Sequence, residues 1–211
     1  MKTRIAVLSL FVAVALFGGQ ALAMHIRRSV ALVGFSKDGA SALLDESESG
    51  PEGGGSLRYV VVSAVGPQEE PFLVTSNFSH GGSARPESVP EGICKAEAKR
   101  FAGLLTDKGF EGAKVNAEAC AKQRGSVVAV ERLEPGVAAQ LTVKQGKLVV
   151  DVKGRDVDLG TADKGLVALE GKLSRSGKLL VVVAVDGEES RLLGVWRARG
   201  DGFEPVPVSM R

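Results

Sequence analysis

The chain has 211 residues, 27 Lys and Arg against 25 Asp and Glu, a formal net charge of +2 and 44% hydrophobic residues. A nucleic-acid or anionic-membrane partner calls for a basic excess gathered into a stripe. Here the two signs are interspersed, so the composition argues against both and predicts an ordinary solvated surface.

Lys2 and Arg4, the apolar run Ile5–Phe17 and the exit Ala21-Leu22-Ala23 are arranged as a Sec-type signal peptide over residues 1–23. The apolar run is shorter than the roughly 20 residues that span a bilayer. The expected mature chain starts at Met24, is secreted or periplasmic, and has no transmembrane segment. Removing Lys2 and Arg4 leaves 25 basic residues against 25 acidic ones. The remaining chain of about 190 residues is long enough for one well-cored domain, 24–211.

Ser29–Gly34 and Leu57–Val65 are β-branched runs that predict strands, and Ser47–Ser56 between them predicts a flexible loop without an apolar residue. Phe72–Ser76 predicts a short strand and Asn77–Arg85 a Gly and Ser loop. The period then changes. Ser88-Val89-Pro90-Glu91 fits a capping box, and Cys94, Ala98, Phe101 and Leu105 fall on one helical face that ends at Lys108-Gly109. A second short helix is expected over Asn116–Arg124. From Ser126 onward strands return. The alternation of Ala139, Leu141 and Val143, then of Leu148, Val150 and Val152, predicts an antiparallel hairpin with one wet face. Lys178–Val185 is apolar on both faces and reads as a central strand, returning through an Asp186-Gly187 turn of type I′ into Arg191–Ala198. Pro205 and Pro207 confine the tail to a sheet edge or an extended strap. The fold class expected is α+β: a mostly antiparallel β-sheet or sandwich-like assembly with a disulfide-pinned helical insertion at about 88–125.

That disulfide is the predicted pairing of the two cysteines, Cys94 and Cys120. A loop of this size stabilises by roughly 3.5 kcal/mol in the chain-entropy picture. Neither cysteine has the His or C-x-x-C neighbour of a zinc site, nor the basic cluster of a reactive thiol.

Two segments are similar to each other. Gly34-Phe35-Ser36-Lys37-Asp38-Gly39 leads into Ala40–Leu44, and Lys172-Leu173-Ser174-Arg175-Ser176-Gly177 leads into Lys178–Val182. In each, an apolar residue, Ser, a basic residue, a small polar residue and Gly precede a strand that is expected to end in an acidic turn, Asp45-Glu46 or Asp186-Gly187-Glu188. The pattern resembles the F-S-x-D-G-k-x-L hairpin of WD40-like and TolB-type β-propeller blades. The resemblance implies a tight turn with Gly at positive φ between two strands. Shared ancestry and turn chemistry alone both account for it. A closed propeller needs about four blades or more of about 40 residues, and the block 86–125 interrupts any such register, so no propeller function is carried over.

Candidate chemistry is sparse. His80 lies in a Gly-rich loop with no nucleophile motif to pair with. His25, beside the expected new amino terminus, could contribute to a Cu(II) site or simply lie in a frayed end. Asp45/Glu46/Glu48, Glu69/Glu70 and Asp186/Glu188/Glu189 are expected in turns and lack calcium-loop spacing. Gly165–Lys172 superficially suggests a phosphate loop, but Leu173 stands where Ser or Thr is required. Asn77-Phe78-Ser79 is a glycosylation sequon. Tyr59 and Trp196, in the second strands of the two similar hairpins, are expected to pack in the core or at its rim. These features predict no catalytic residue, no cofactor and no metal. They point to a non-catalytic binding or accessory protein outside the cytoplasm, acting on a protein or a cell-envelope ligand. The alternative is a secreted hydrolase whose acidic turns converge.

Overall fold

A computed structural model of the chain describes residues 27–49, 55–65, 72–75, 91–116, 128–130, 133–162 and 168–208. Strands β1 (Arg27–Phe35), β2 (Ser41–Ser49), β3 (Gly55–Ser63) and β4 (Phe72–Thr75) form a four-stranded antiparallel meander in chain order. The single helix among the described residues, α1 (Glu91–Asp107), is followed by the short pair β5 (Ala113–Val115) and β6 (Val128–Val130). The remaining strands are β7 (Val137–Lys144), β8 (Lys147–Val152), β9 (Arg155–Thr161), β10 (Ala168–Leu173), β11 (Leu179–Asp186), β12 (Glu189–Arg199) and β13 (Gly202–Val206). They form one seven-stranded sheet in the order β13-β12-β11-β10-β7-β8-β9.

The α+β expectation is therefore corrected. Strands make up 64% of the described residues, and the helical content is the 17-residue α1. Ala98, Phe101 and Leu105 of α1 are buried as the periodicity predicts. Beyond them the 88–125 block turns into strand, where Val115 and Val128 pair across β5 and β6. Such β-branched residues favour pleated pairing over a helix. The expected helix at 116–124 falls almost wholly outside the described residues, as do the signal segment, the capping Ser88 and Cys120.

The two similar sequence segments become two equivalent turns. In the first, Ser36 N–H donates to Ser41 O (2.9 Å), Gly39 N–H to Ser36 O (2.8 Å) and Ser41 N–H to Ser36 Oγ (2.9 Å). In the second, Ser174 N–H donates to Leu179 O (2.8 Å), Gly177 N–H to Ser174 O (2.8 Å) and Leu179 N–H to Ser174 Oγ (3.1 Å). Each turn also accepts one bond from the third strand of its meander, from Ala64 N–H to Ala40 O and from Ala198 N–H to Lys178 O. Both serines are fully buried because their hydroxyls replace a missing backbone partner inside the turn.

Equivalent residues also face the same way. Leu43 and Val61, paired across β2 and β3, look toward α1 and join a core with Tyr59, Ala98, Phe101, Leu105 and Phe110. Their counterparts Val181 and Val195, paired across β11 and β12, look toward the first meander. Ala42 and Val62 look toward the second sheet, whereas their counterparts Leu180 and Trp196 look away from the first. The two meanders thus stack face to back. Radial repetition in a propeller has this sense of packing, since each blade is a rotated copy of the last. No ring is built here: α1 covers one outer face of the stack, and the seven-stranded sheet curls so that β8 and β9 cover the other. Leu148, Val150 and Leu159 meet Leu180, Val182 and Trp196 inside that curl, and Trp196 Nε1 donates to Leu159 O at 3.1 Å.

Three further expectations are corrected. Asp45 and Glu46 do not form a turn, because β2 runs on to Ser49 and β3 begins at Gly55, leaving only 50–54 of the expected 47–56 loop. Glu46 is tolerated inside the strand because Arg58 lies directly opposite it and forms a buried ion pair with it. At the β11–β12 hairpin Asp186 pairs with Glu189, so the two-residue loop is Gly187-Glu188, with positive φ at Gly187 alone. That is the glycine-first pattern of a type II′ turn rather than type I′.

The stacking is tightest where the two turns touch. A Cβ on Gly39 would fall 2.2 Å from Ser176 Oγ and 3.0 Å from Ser174 Cβ, and its φ is +67°. Gly177, the equivalent glycine, has φ +73° and open space around it. Gly177→Ala should therefore cost only the backbone strain, about 1 kcal/mol, while Gly39→Ala should cost about 2–4 kcal/mol through steric displacement of the second turn. Urea unfolding of the two variants measures this difference, and equal losses would show that the turns do not press on each other.

Candidate functional site

A cleft of about 400 Å³ opens where β1, the edge strand of the first meander, passes over the second sheet. Its floor is Val181, Val183 and Val185 of β11; one wall is Ser29–Val33 of β1, the other Glu170 and Lys172 of β10, and the β11–β12 hairpin closes one end. The floor exists because β11 is central and apolar on both faces. One of its faces packs into the curl and the other against the first meander, so Val181 and Val183 are buried and Val185, near the strand's end, is partly exposed. Register fixes the charged wall: Glu170 lies opposite Val183 and Lys172 opposite Val181, so both side chains stand on the face that carries the valine floor.

The outward hydrogen-bonding edge of β1 is occupied at both ends of the cleft. Ser190 Oγ accepts from Val30 N–H (2.8 Å), donates to Val30 O (2.8 Å) and lies 3.0 Å from Ser29 Oγ. One hydroxyl so takes the place of a neighbouring strand. At the other end Phe35 N–H donates to Glu134 O (2.8 Å), and Pro135, which has no N–H to offer, follows in the wall. An edge strand treated this way is shielded against strand addition.

Glu170, Lys172, Glu188 and Glu189 are the charged residues that line the cleft. Glu188 pairs with Arg27 and Glu48 with Arg28. Glu170 and Lys172 have no ion pair within the described residues.

Of the carboxylates singled out from sequence, Glu188 and Glu189 line the cleft and Asp45 does not. Asp45 lies opposite Ala31 and Tyr59 on the α1 side of the first meander. Asp186, Glu188 and Glu189 belong to the second sheet, on the meander's other side. His25, Glu69, Glu70, His80, Asn77-Phe78-Ser79 and Cys120 lie outside the described residues. Cys94 is placed by its backbone in α1, and the predicted Cys94–Cys120 pairing falls outside what is described. Gly165–Lys172 ends in β10, and Lys172 serves as a wall of the cleft. No group of three or more His, Cys, Asp or Glu side chains capable of holding a metal ion occurs among the described residues, and none of their helices is long and apolar enough to cross a membrane. Sequence reasoning missed Ser29, Glu170, Lys172 and Ser190. The polar positions Glu170 and Lys172 alternate with Leu169 and Leu173, which marks a strand with one wet face, but nothing local says that β1 lies above it.

The chain matches no protein family, curated protein or solved structure.

Two carboxyls of the first meander are displaced in opposite directions. The Asp38 carboxyl is held below the usual range by Ala40 N–H and the Ser36 hydroxyl, with Lys178 adding to the effect. Burial pushes Asp45 up, outweighing the N–H that Ala31 donates to it. A carboxyl raised in the folded state favours folding in acid, and that contribution is lost as pH rises from the ordinary carboxylate value of about 3.9 through the raised one. Asp45→Asn keeps an acceptor for Ala31 and removes the charge. It should be more stable than the parent at pH 7, and the gain should vanish below about pH 4. Thermal unfolding from pH 3 to pH 8 checks this; a variant less stable at pH 7 than at pH 4, relative to the parent, would overturn it.

Proposed function

We propose that this is a non-catalytic binding or accessory protein that works outside the cytoplasm and takes its ligand in the cleft between β1 and β10. The observation that carries the reading is the cleft's construction: a concave space between two packed sheets, lined by valine and leucine side chains together with a few polar ones, Lys172, Ser190 and the carboxylates Glu170, Glu188 and Glu189 among them. Ligand sites are commonly concave and largely apolar with a few placed polar groups. The hydrolase alternative needs its acidic turns to converge, and Asp45 and the 186–189 hairpin belong to opposite sides of the first meander; the carboxylates that line the cleft together are Glu170, Glu188 and Glu189. Export by residues 1–23, cleavage after Ala23 and a Cys94–Cys120 disulfide belong to the same proposal and rest on the sequence pattern.

Intact-mass analysis of protein collected from the exporting host should give a chain that begins at Met24 and has no alkylatable thiol before reduction. A chain that retains residues 1–23, or two alkylated cysteines in the folded protein, would count against export or the disulfide respectively.

Filling the cleft should impair function where removing a carboxylate does not. Glu170 is exposed, so Glu170→Trp can lay a ring over the valine floor without disturbing the core. Complementation of a deletion strain should fall by roughly tenfold or more for Glu170→Trp and stay within about twofold for Asp45→Ala and Asp186→Ala. If either aspartate substitution alone abolishes function in a folded, exported protein, the enzyme reading replaces this one.

A further inference from the structure

The dimensions and chemistry of the cleft narrow the kind of ligand, an inference that rests on reading the cleft as the binding site. A partner that adds a strand to β1 would need the outward N–H and C=O groups of that strand. Val30 has both of its groups bonded to Ser190 Oγ, and Phe35 N–H is bonded to Glu134 O. The stretch left between them is too short to seat a strand, so backbone pairing cannot be the main source of affinity. A volume of about 400 Å³ likewise suits a compact molecule and not a helix or a folded domain.

The wall supplies the recognition. Glu170 and Lys172 project from the same face of β10, two residues apart, beside Val183 and Val181. Two residues of strand cover about 7 Å, and the backbone of an extended dipeptide spans about the same distance. We propose that the cleft binds a short apolar peptide of about two residues with both termini free. Its ammonium meets Glu170, its carboxylate meets Lys172, and its side chains lie against the partly exposed apolar lining, Leu32 of β1 and Val185 of β11. The chain of such a ligand runs in the same direction as β10. Charge complementarity selects this occupant: of the four charged residues that line the cleft, Glu188 is paired with Arg27 and Glu189 lies at the hairpin end, while Glu170 and Lys172 stand side by side on β10, where a zwitterion of matching length satisfies both.

Calorimetric titration of the purified exported protein with L-leucyl-L-leucine, N-acetyl-L-leucyl-L-leucine and L-leucyl-L-leucinamide tests the assignment. The free dipeptide should bind, and blocking either terminus should weaken binding by at least about tenfold, the effect of losing one charge-assisted contact. Glu170→Gln should weaken the free dipeptide and the amide yet leave the acetylated form unchanged. Lys172→Met should weaken the free and acetylated forms yet leave the amide unchanged. Thermal unfolding of both variants at the parent temperature separates lost contacts from misfolding. Equal binding of all three ligands, no binding at millimolar dipeptide, or tighter binding of an extended octapeptide would each overturn the proposal. If the dipeptide fails while Glu170→Trp still abolishes complementation, the ligand class is wrong and the cleft remains the site; if both fail, the binding reading falls with it.

Discussion

Phe35, Ala42, Leu44, Val60 and Val62 of the first meander meet Leu179, Val181, Val183 and Val195 of the second sheet in one continuous apolar layer. Nearly all of these side chains are fully buried, and dispersion and the hydrophobic effect both favour the tight layer. The other features follow from how that layer is seated. It sets the two turns against each other at Gly39, brings Ser190 to the edge of β1, and leaves Val185 of β11 partly exposed beside β10. The cleft is the part of the interlayer space that β1 does not fill.

The protection of the β1 edge is economical in groups. A free edge strand invites other chains to pair with it, and covering it with another strand would have erased the cleft. A single serine hydroxyl at one end and one backbone carbonyl at the other satisfy Val30 and Phe35 while leaving the space between the layers open.

Much of the local structure was legible in the sequence. The strand runs, the α1 stripe of Ala98, Phe101 and Leu105, the β7–β8 hairpin and the central position of β11 all follow from periodicity. So does the likeness of the two turns, because their bonds are made by the residues of the motif itself. Errors arose where a distant partner decides. Glu46 reads as a turn residue until Arg58 is known to lie across from it. The 88–125 block reads as helical until Val128 pairs back onto Val115. The cleft was invisible for the same reason: Ser29 and Ser190 sit at opposite ends of the chain, and no local pattern records that they touch.

Face-to-back packing has no built-in end. When the front of one unit fits the back of the next, identical molecules can in principle continue the series, as in filaments formed by heterologous contacts. Among the described residues the contact is used once. The outward face of the first meander, with Leu43, Tyr59 and Val61, is closed by α1, and that of the second, with Leu180 and Trp196, by its own curled strands. The helix and the curl act as terminators, comparable to the capping units of solenoid proteins. They cover the two outward faces of the stack among the described residues.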